Sequence, residues 1–216
     1  MNMKALLRGA LPTVTFIAAV VAAPAQAVTI SFDCITNNIA GDCAIGETQL
    51  TVDVTDAGSG LTLFTFSNTG LGASSITDVY FDDGSLLGIA FLDNSDPGVS
   101  FSQLANPANL PGANNATPPF QTTAGFSADS NPAVQPNGVN PGESLGVYFN
   151  LQSGQTYADV IDELTTGMLR IGIHVQGYAT GGSESFVNNP VPAPAAVWLF
   201  STGLLGLAGI ARRKRS

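Results

Sequence analysis

A chain of 216 residues with 16 acidic and only 7 basic side chains is too acidic to hold nucleic acid by counterion release, which needs clustered Lys and Arg. The imbalance is uneven. Residues 28–189 hold all 16 carboxylates and a single basic residue, Arg170, a formal charge of −15 with the lone His174 neutral. Such a stretch is repelled by anionic lipid, and its plainest use is solubility; divalent cations and basic partners are what it could attract.

The amino terminus has three parts. Lys4 and Arg8 form a basic start, Leu11–Ala23 is apolar apart from Pro12, Thr13 and Thr15, and Ala25-Gln26-Ala27 is a small-x-small cleavage site. This is the layout of a secretory signal peptide over residues 1–27, cleaved after Ala27. An uncleaved anchor is the rival reading, but the apolar run is short for a span. The predicted location is therefore outside the cytoplasmic membrane.

The mature chain then alternates. "VTISFDCIT" sets Val28, Ile30 and Phe32 against Thr29, Ser31 and Asp33. In an exported chain the two cysteines, Cys34 and Cys43, read as a disulfide. Closing so short a loop stabilises by roughly 2–3 kcal/mol in the chain-entropy model. A zinc site lacks ligands, with no further Cys and no nearby His. "TQLTVDV" and "LTLFTFSN" continue the strand pattern. "ITDVYFDDG" and "LLGIAFLDN" flank Asp83-Gly84, a hairpin signal.

Residues 105–142 are rich in Pro, Asn and Gly and read as a long surface loop, with one short strand at Phe120–Phe126. Asn115-Ala116-Thr117 fits a glycosylation sequon, a weak motif by itself. Then come "ESLGVYFNL", "MLRIGIHVQGYA" and "ESFVN". Between the first two, Thr156 and Asp159 mark a helix start. Tyr157, Val160, Ile161 and Leu164 follow at helical spacing, and Gly167 is a stop, giving one short helix over 157–166. About nine short runs separated by turn residues predict a mainly β domain over 28–189, an antiparallel sandwich or jelly-roll-like fold.

Catalytic signatures are missing from the sequence. His174 shares a strand face with Arg170 and Gln176, opposite Ile171, Ile173 and Val175, so it is expected in solvent or in a polar patch. "GGSES" is no nucleophile elbow, and there is no P-loop, dinucleotide fingerprint or H-E-x-x-H. No catalytic residue and no cofactor are expected. Asp78, Asp82 and Asp83, with Asp93 and Asp96 beyond the next strand, read as solvated acidic turns. Calcium is the one ion they would suit, although D-x-D-x-D-G is absent.

The carboxy terminus, residues 190–216, is again tripartite. Val191-Pro192-Ala193-Pro194 is followed by seventeen residues, 195–211, with Ser201 and Thr202 the only polar ones, and by Arg212-Arg213-Lys214-Arg215. The apolar stretch spans about 25 Å as a helix, just short of a bilayer core. Gly203, Gly206 and Gly209 give it a small-residue face suited to close docking. The basic tip acts as a stop-transfer signal that keeps it cytoplasmic.

These residues resemble the PEP-CTERM sorting signal, and "VPAPAAVWLF" is close to its VPLPA-type variant, with Ala193 where that signal usually has an acidic residue or Leu. The resemblance implies processing by an exosortase, an integral-membrane cysteine transpeptidase that recognises the motif and removes the span. It also implies a membrane anchor that is transient, and a final place at the cell surface or outside it, linked with exopolysaccharide, biofilm or floc. "SSITDVYFDDG", "NPGESLGVYFNL" and "LRIGIHVQGYATGGSESFVN" look like a recurring domain of that group, which adds cell-surface context and no chemistry. The expected role is thus non-enzymatic, in surface or matrix. The alternative is a secreted carbohydrate- or calcium-binding module.

Overall fold

The computed structural model describes residues 27–82 and 86–189. In chain order its elements are β1 (Val28–Cys34), α1 (Ala40–Gln49), β2 (Leu50–Gly58), β3 (Leu61–Asn68), β4 (Ser75–Asp82), β5 (Leu86–Asp93), β6 (Phe101–Gln103), β7 (Ser127–Ser130), α2 (Val134–Asn137), β8 (Ser144–Leu151), α3 (Tyr157–Thr166), β9 (Arg170–Gln176) and β10 (Glu184–Asn188). The domain is mainly β, as expected. All ten strands pair antiparallel in the order β5-β8-β3-β2-β1-β10-β9-β4-β7-β6.

Strand β1 joins the two halves of this sheet. Val28 to Ser31 pair with β2, and Phe32 to Cys34 pair with β10. The sheet then folds over until its ends meet. Gln103 Nε2 donates to the Ile89 carbonyl at 3.2 Å, and the Asn94 side chain exchanges two hydrogen bonds with the backbone of Phe101 at 2.9 and 3.1 Å. A sheet nearly closed in this way leaves little free edge for stray pairing.

Period-two alternation builds the core. Val52, Val54, Phe64, Phe66, Val147 and Phe149 face Val79, Phe81, Ile171, Ile173, Val175 and Phe186 from the other half, and all are fully buried. Phe81 meets Phe149 and Phe64 edge-on, with centroids 4.6 and 5.1 Å apart. Such pairs add about 0.5–1.5 kcal/mol each beyond area burial. Helix α3 forms over the residues expected. Thr156 N and Oγ1 both donate to Asp159 Oδ2 at 2.7 Å, Val160 and Leu164 are buried, and Gly167 closes the helix at φ 75°.

Three expectations need correction. The strands flanking Asp83-Gly84 are not a hairpin: β4 pairs with β9 and β7, whereas β5 pairs with β8. Ser75 to Phe81 are buried on both faces, so β4 must be a central strand, a fact its turn residues do not encode. Asp83 itself lies outside the described residues. Second, α3 is joined by α1 and the short α2. The α1 sequence AGDCAIGETQ has no clear apolar stripe, and its Gly46 packs so close that an added Cβ would lie 2.2 Å from the Phe186 ring.

Third, residues 105–142 do not merely line the surface. Their strand is β7 at 127–130 rather than 120–126. Leu110, Ala116 and Phe120 form a second apolar cluster with Tyr80 and Val187, on the sheet face away from the main core. Gly172 makes room for this lid: a Cβ there would sit 2.8 Å from Leu110 Cδ2 and 3.1 Å from Phe120 Cζ. Gly172→Ala is therefore expected to cost roughly 1–3 kcal/mol by overpacking. Thermal unfolding reads it; an unchanged midpoint would mean the lid is not seated there.

Candidate functional site

The described residues offer three places where polar chemistry collects. The first surrounds the disulfide. Cys34 and Cys43 are bonded, with Cα atoms 5.5 Å apart, tying the end of β1 to α1. From β10, Glu184 reaches the same point, fully buried. Its carboxylate accepts from Asn38 N at 2.9 Å, from Ile39 N at 2.6 Å and from Thr36 Oγ1. Ile39 is the residue before α1, which has no side-chain cap of its own, so Glu184 fixes the two residues that lead into the helix and places negative charge near its start. Cys34, Cys43 and Glu184 are close enough to share an ion. With the sulfurs bonded to each other, no thiolate is present to bind one.

The second is a row across the covered face of β7, β4, β9 and β10. Asp129, Asp78, His174 and Ser185 are successive cross-strand partners. Asp78 is 3% exposed. Burial pushes its carboxyl up to about 7; a hydrogen bond from Thr77 opposes the rise, and the nearby Asp129 adds to it. His174 Nδ1 lies 3.1 Å from Ser185 Oγ. Burial lowers the His174 pKa, partly offset by Glu184. The histidine thus sits in a polar patch, one of the two places expected. Tyr80, beside Asp78, donates to the Pro107 carbonyl at 3.1 Å, and burial raises its pKa. Serine, histidine and aspartate are in line here, but Ser185 is fully buried, so no substrate reaches its hydroxyl. What this row can do is take up and release a proton.

The third is an open cleft of about 550 Å³ whose walls include Asp33, Asn115, Thr117, Arg170, Asn188 and Asn189. Arg170 is fully engaged in holding the lid. Its guanidinium pairs with Asp82, donates to the carbonyls of Pro118 and Pro119 at 2.6 and 2.7 Å, and lies 5.3 Å from the Phe120 ring centre.

The aspartates considered for calcium are dispersed. Asp78 is in the buried row and Asp82 on Arg170. Asp93 accepts from Ser95 N at 3.0 Å, and Asp96 from Ser144 N and Oγ at 2.6 and 2.9 Å. Among the described residues these side chains do not gather three together. Glu184 and Asp129 are the residues the sequence reading missed. Glu184 is a single acidic residue in ordinary strand context and Asp129 one in the stretch read as a loop, and only the pairing of distant strands gives them neighbours.

Ala27 is the first described residue and is exposed. Ala25, the motif Val191, Pro192, Ala193 and Pro194, the apolar stretch 195–211 and Arg212, Arg213, Lys214 and Arg215 lie outside the described residues. Among the described residues no helix is long and apolar enough to cross a membrane. Comparison with protein-family models, with curated proteins and with solved structures returned no match.

Proposed function

We propose that this chain is an exported, non-enzymatic component of the cell surface or extracellular matrix. An exosortase-type enzyme cuts it free of a transient inner-membrane anchor, and it associates with exopolysaccharide, biofilm or floc. The observation that carries this reading is the ordered trio at the carboxy terminus: the proline-bounded segment 191–194, the seventeen apolar residues 195–211 and the basic tip 212–215. Each part has its own physical task. Residues before proline avoid the helical region, so the motif stays extended; the apolar stretch holds the membrane; the basic cluster fixes orientation.

The folded domain is compatible with that role. The last strand, β10, is held between β1 and β9, and Asn189 N donates to the Ser31 carbonyl at 3.0 Å. The tail therefore follows directly on a fixed strand. The fold-over of one antiparallel sheet supports a jelly-roll-like sandwich as its architecture.

Pro192→Ala with Pro194→Ala tests the reading. Export and folding are expected to be unchanged, and the protein to accumulate in the membrane with its tail attached. Normal release of trimmed protein from that variant would refute recognition at the motif. A carbohydrate-binding module is the second reading, favoured by one observation: an exposed aromatic ring, Phe91, stacked on the half-buried Tyr148.

A further inference from the structure

The outer face of the β5-β8-β3-β2 half carries that pair. Phe91 and Tyr148 lie 4.1 Å apart between ring centres and 17° from parallel. Phe91 is 47% exposed and is the sole aromatic among the large exposed apolar side chains of the described residues. One of its ring faces is covered by Tyr148, so its exposed area is mostly the other. Register extends the row from Phe91 and Tyr148 to Leu63 and Thr55, and sets Asp93, Gly146, Thr65 and Asp53 beside it. Gly146 lets Asp93 lie in against the sheet: a Cβ there would be 2.9 Å from the Asp93 Cβ.

Size and charge select the occupant. A stable protein interface buries roughly 800 Å² per partner around a continuous apolar core. A lone half-exposed ring flanked by threonine and aspartate is far smaller, matching one pyranose ring with its C–H face on the aromatic and its polar groups toward the rim. A second copy of the chain would bring together two domains of charge −15, each with one basic residue. The same charge repels uronate and sulfated polymers. A saccharide bearing free ammonium groups is attracted by the domain as a whole. It can also place a cation against Asp93 or over an aromatic face, an interaction worth about 0.5–2 kcal/mol.

We propose that the Phe91–Tyr148 platform, with Asp93 beside it, binds an amino-sugar polysaccharide with free amino groups. This deepens the matrix reading by naming its ligand class and rests on it for the encounter at the cell surface. The binding itself is a property of the folded domain. It can therefore be measured on the protein as the cell releases it, whichever carboxy terminus that protein has.

The probe is a β-1,4-linked glucosamine hexamer, titrated calorimetrically beside its fully N-acetylated counterpart and an oligogalacturonate. The glucosamine hexamer is expected to bind best and the oligogalacturonate not at all. Phe91→Ala and Asp93→Asn should each weaken binding about tenfold with the unfolding midpoint kept, and Phe91→Trp should retain it. Equal binding by wild type and Phe91→Ala would overturn the platform in favour of diffuse charge attraction. Equal binding of the acetylated hexamer would overturn the amino-sugar assignment, and no binding would overturn both. A dimer in sedimentation that disappears in Phe91→Ala would assign the face to a second copy instead.

Discussion

Glu184→Ala should destabilise the domain by about 2–4 kcal/mol, because the change removes a fully buried carboxylate on which three part-buried donors converge. The Glu184 carboxylate accepts from Asn38 N, Ile39 N and Thr36 Oγ1, and the Thr36 hydroxyl in turn accepts from Ser185 N at 2.9 Å. Alanine takes the acceptor from two backbone N–H groups just before α1, and a hydrogen bond to a charged group is worth roughly 1.5–3 kcal/mol. The disulfide still tethers α1 to β1, so the helix is expected to loosen while staying attached. Glu184→Gln keeps one acceptor oxygen and should lose less, about 1–3 kcal/mol. Chemical unfolding measures both, and equal stability of wild type and Glu184→Ala would show that these bonds do not hold the α1 corner.

The second large effect is a pH dependence centred on Asp78. Its carboxyl is raised from 3.8 to about 7 in the folded protein, first by burial and then by Asp129. A raised folded pKa means that the folded state holds the proton where the unfolded state has lost it. The stabilisation is fully present below about pH 4, falls as pH rises through 7, and is gone above that. The facing groups are Asp129 on β7, His174 on β9 and Tyr80 on β4 itself. His174, with its pKa lowered, acts in the opposite sense, losing stability as pH falls below its unfolded value of about 6.5. Comparison with Asp78→Asn removes the His174 contribution. The neutral variant should gain on wild type between pH 4 and 7, by at most about 4 kcal/mol, with no further change above pH 8. A difference that is flat with pH would contradict the assignment.

The sequence made some of this legible. Strands with period-two alternation announce themselves: Leu50, Val52 and Val54 in β2, and Ile171, Ile173 and Val175 in β9, occupy every second position and are fully buried. Helix α3 carried its own start, stripe and stop. What stayed hidden depends on partners distant in the chain. Helix α1 has no apolar stripe and is held by a glutamate 146 residues beyond the Asn38 it binds, so no local window could reveal it. The pairing of β4 with β9 and β7 goes with burial of both its faces, and the Asp-Gly signal after it carries no information on that pairing.

The lid was hidden for a different reason. Leu110 and Phe120 stand singly among Pro, Asn and Gly, with no period to read, yet they bury against Tyr80 and Val187. Asp78 follows from that. It lies on the outward face of β4, where an irregularity of register between Ile76 and Asp78 breaks the alternation, and the lid beside it turns a surface carboxylate into a buried one.

Mass spectrometry of the mature protein from its own host tests the central claim most directly. If the chain is sorted as proposed, its carboxy-terminal peptide ends near Val191–Pro194, and no peptide containing Trp198 or Arg212 to Arg215 is recovered from the released protein. Recovery of those residues in the mature protein would contradict sorting and make the chain a permanently anchored surface protein.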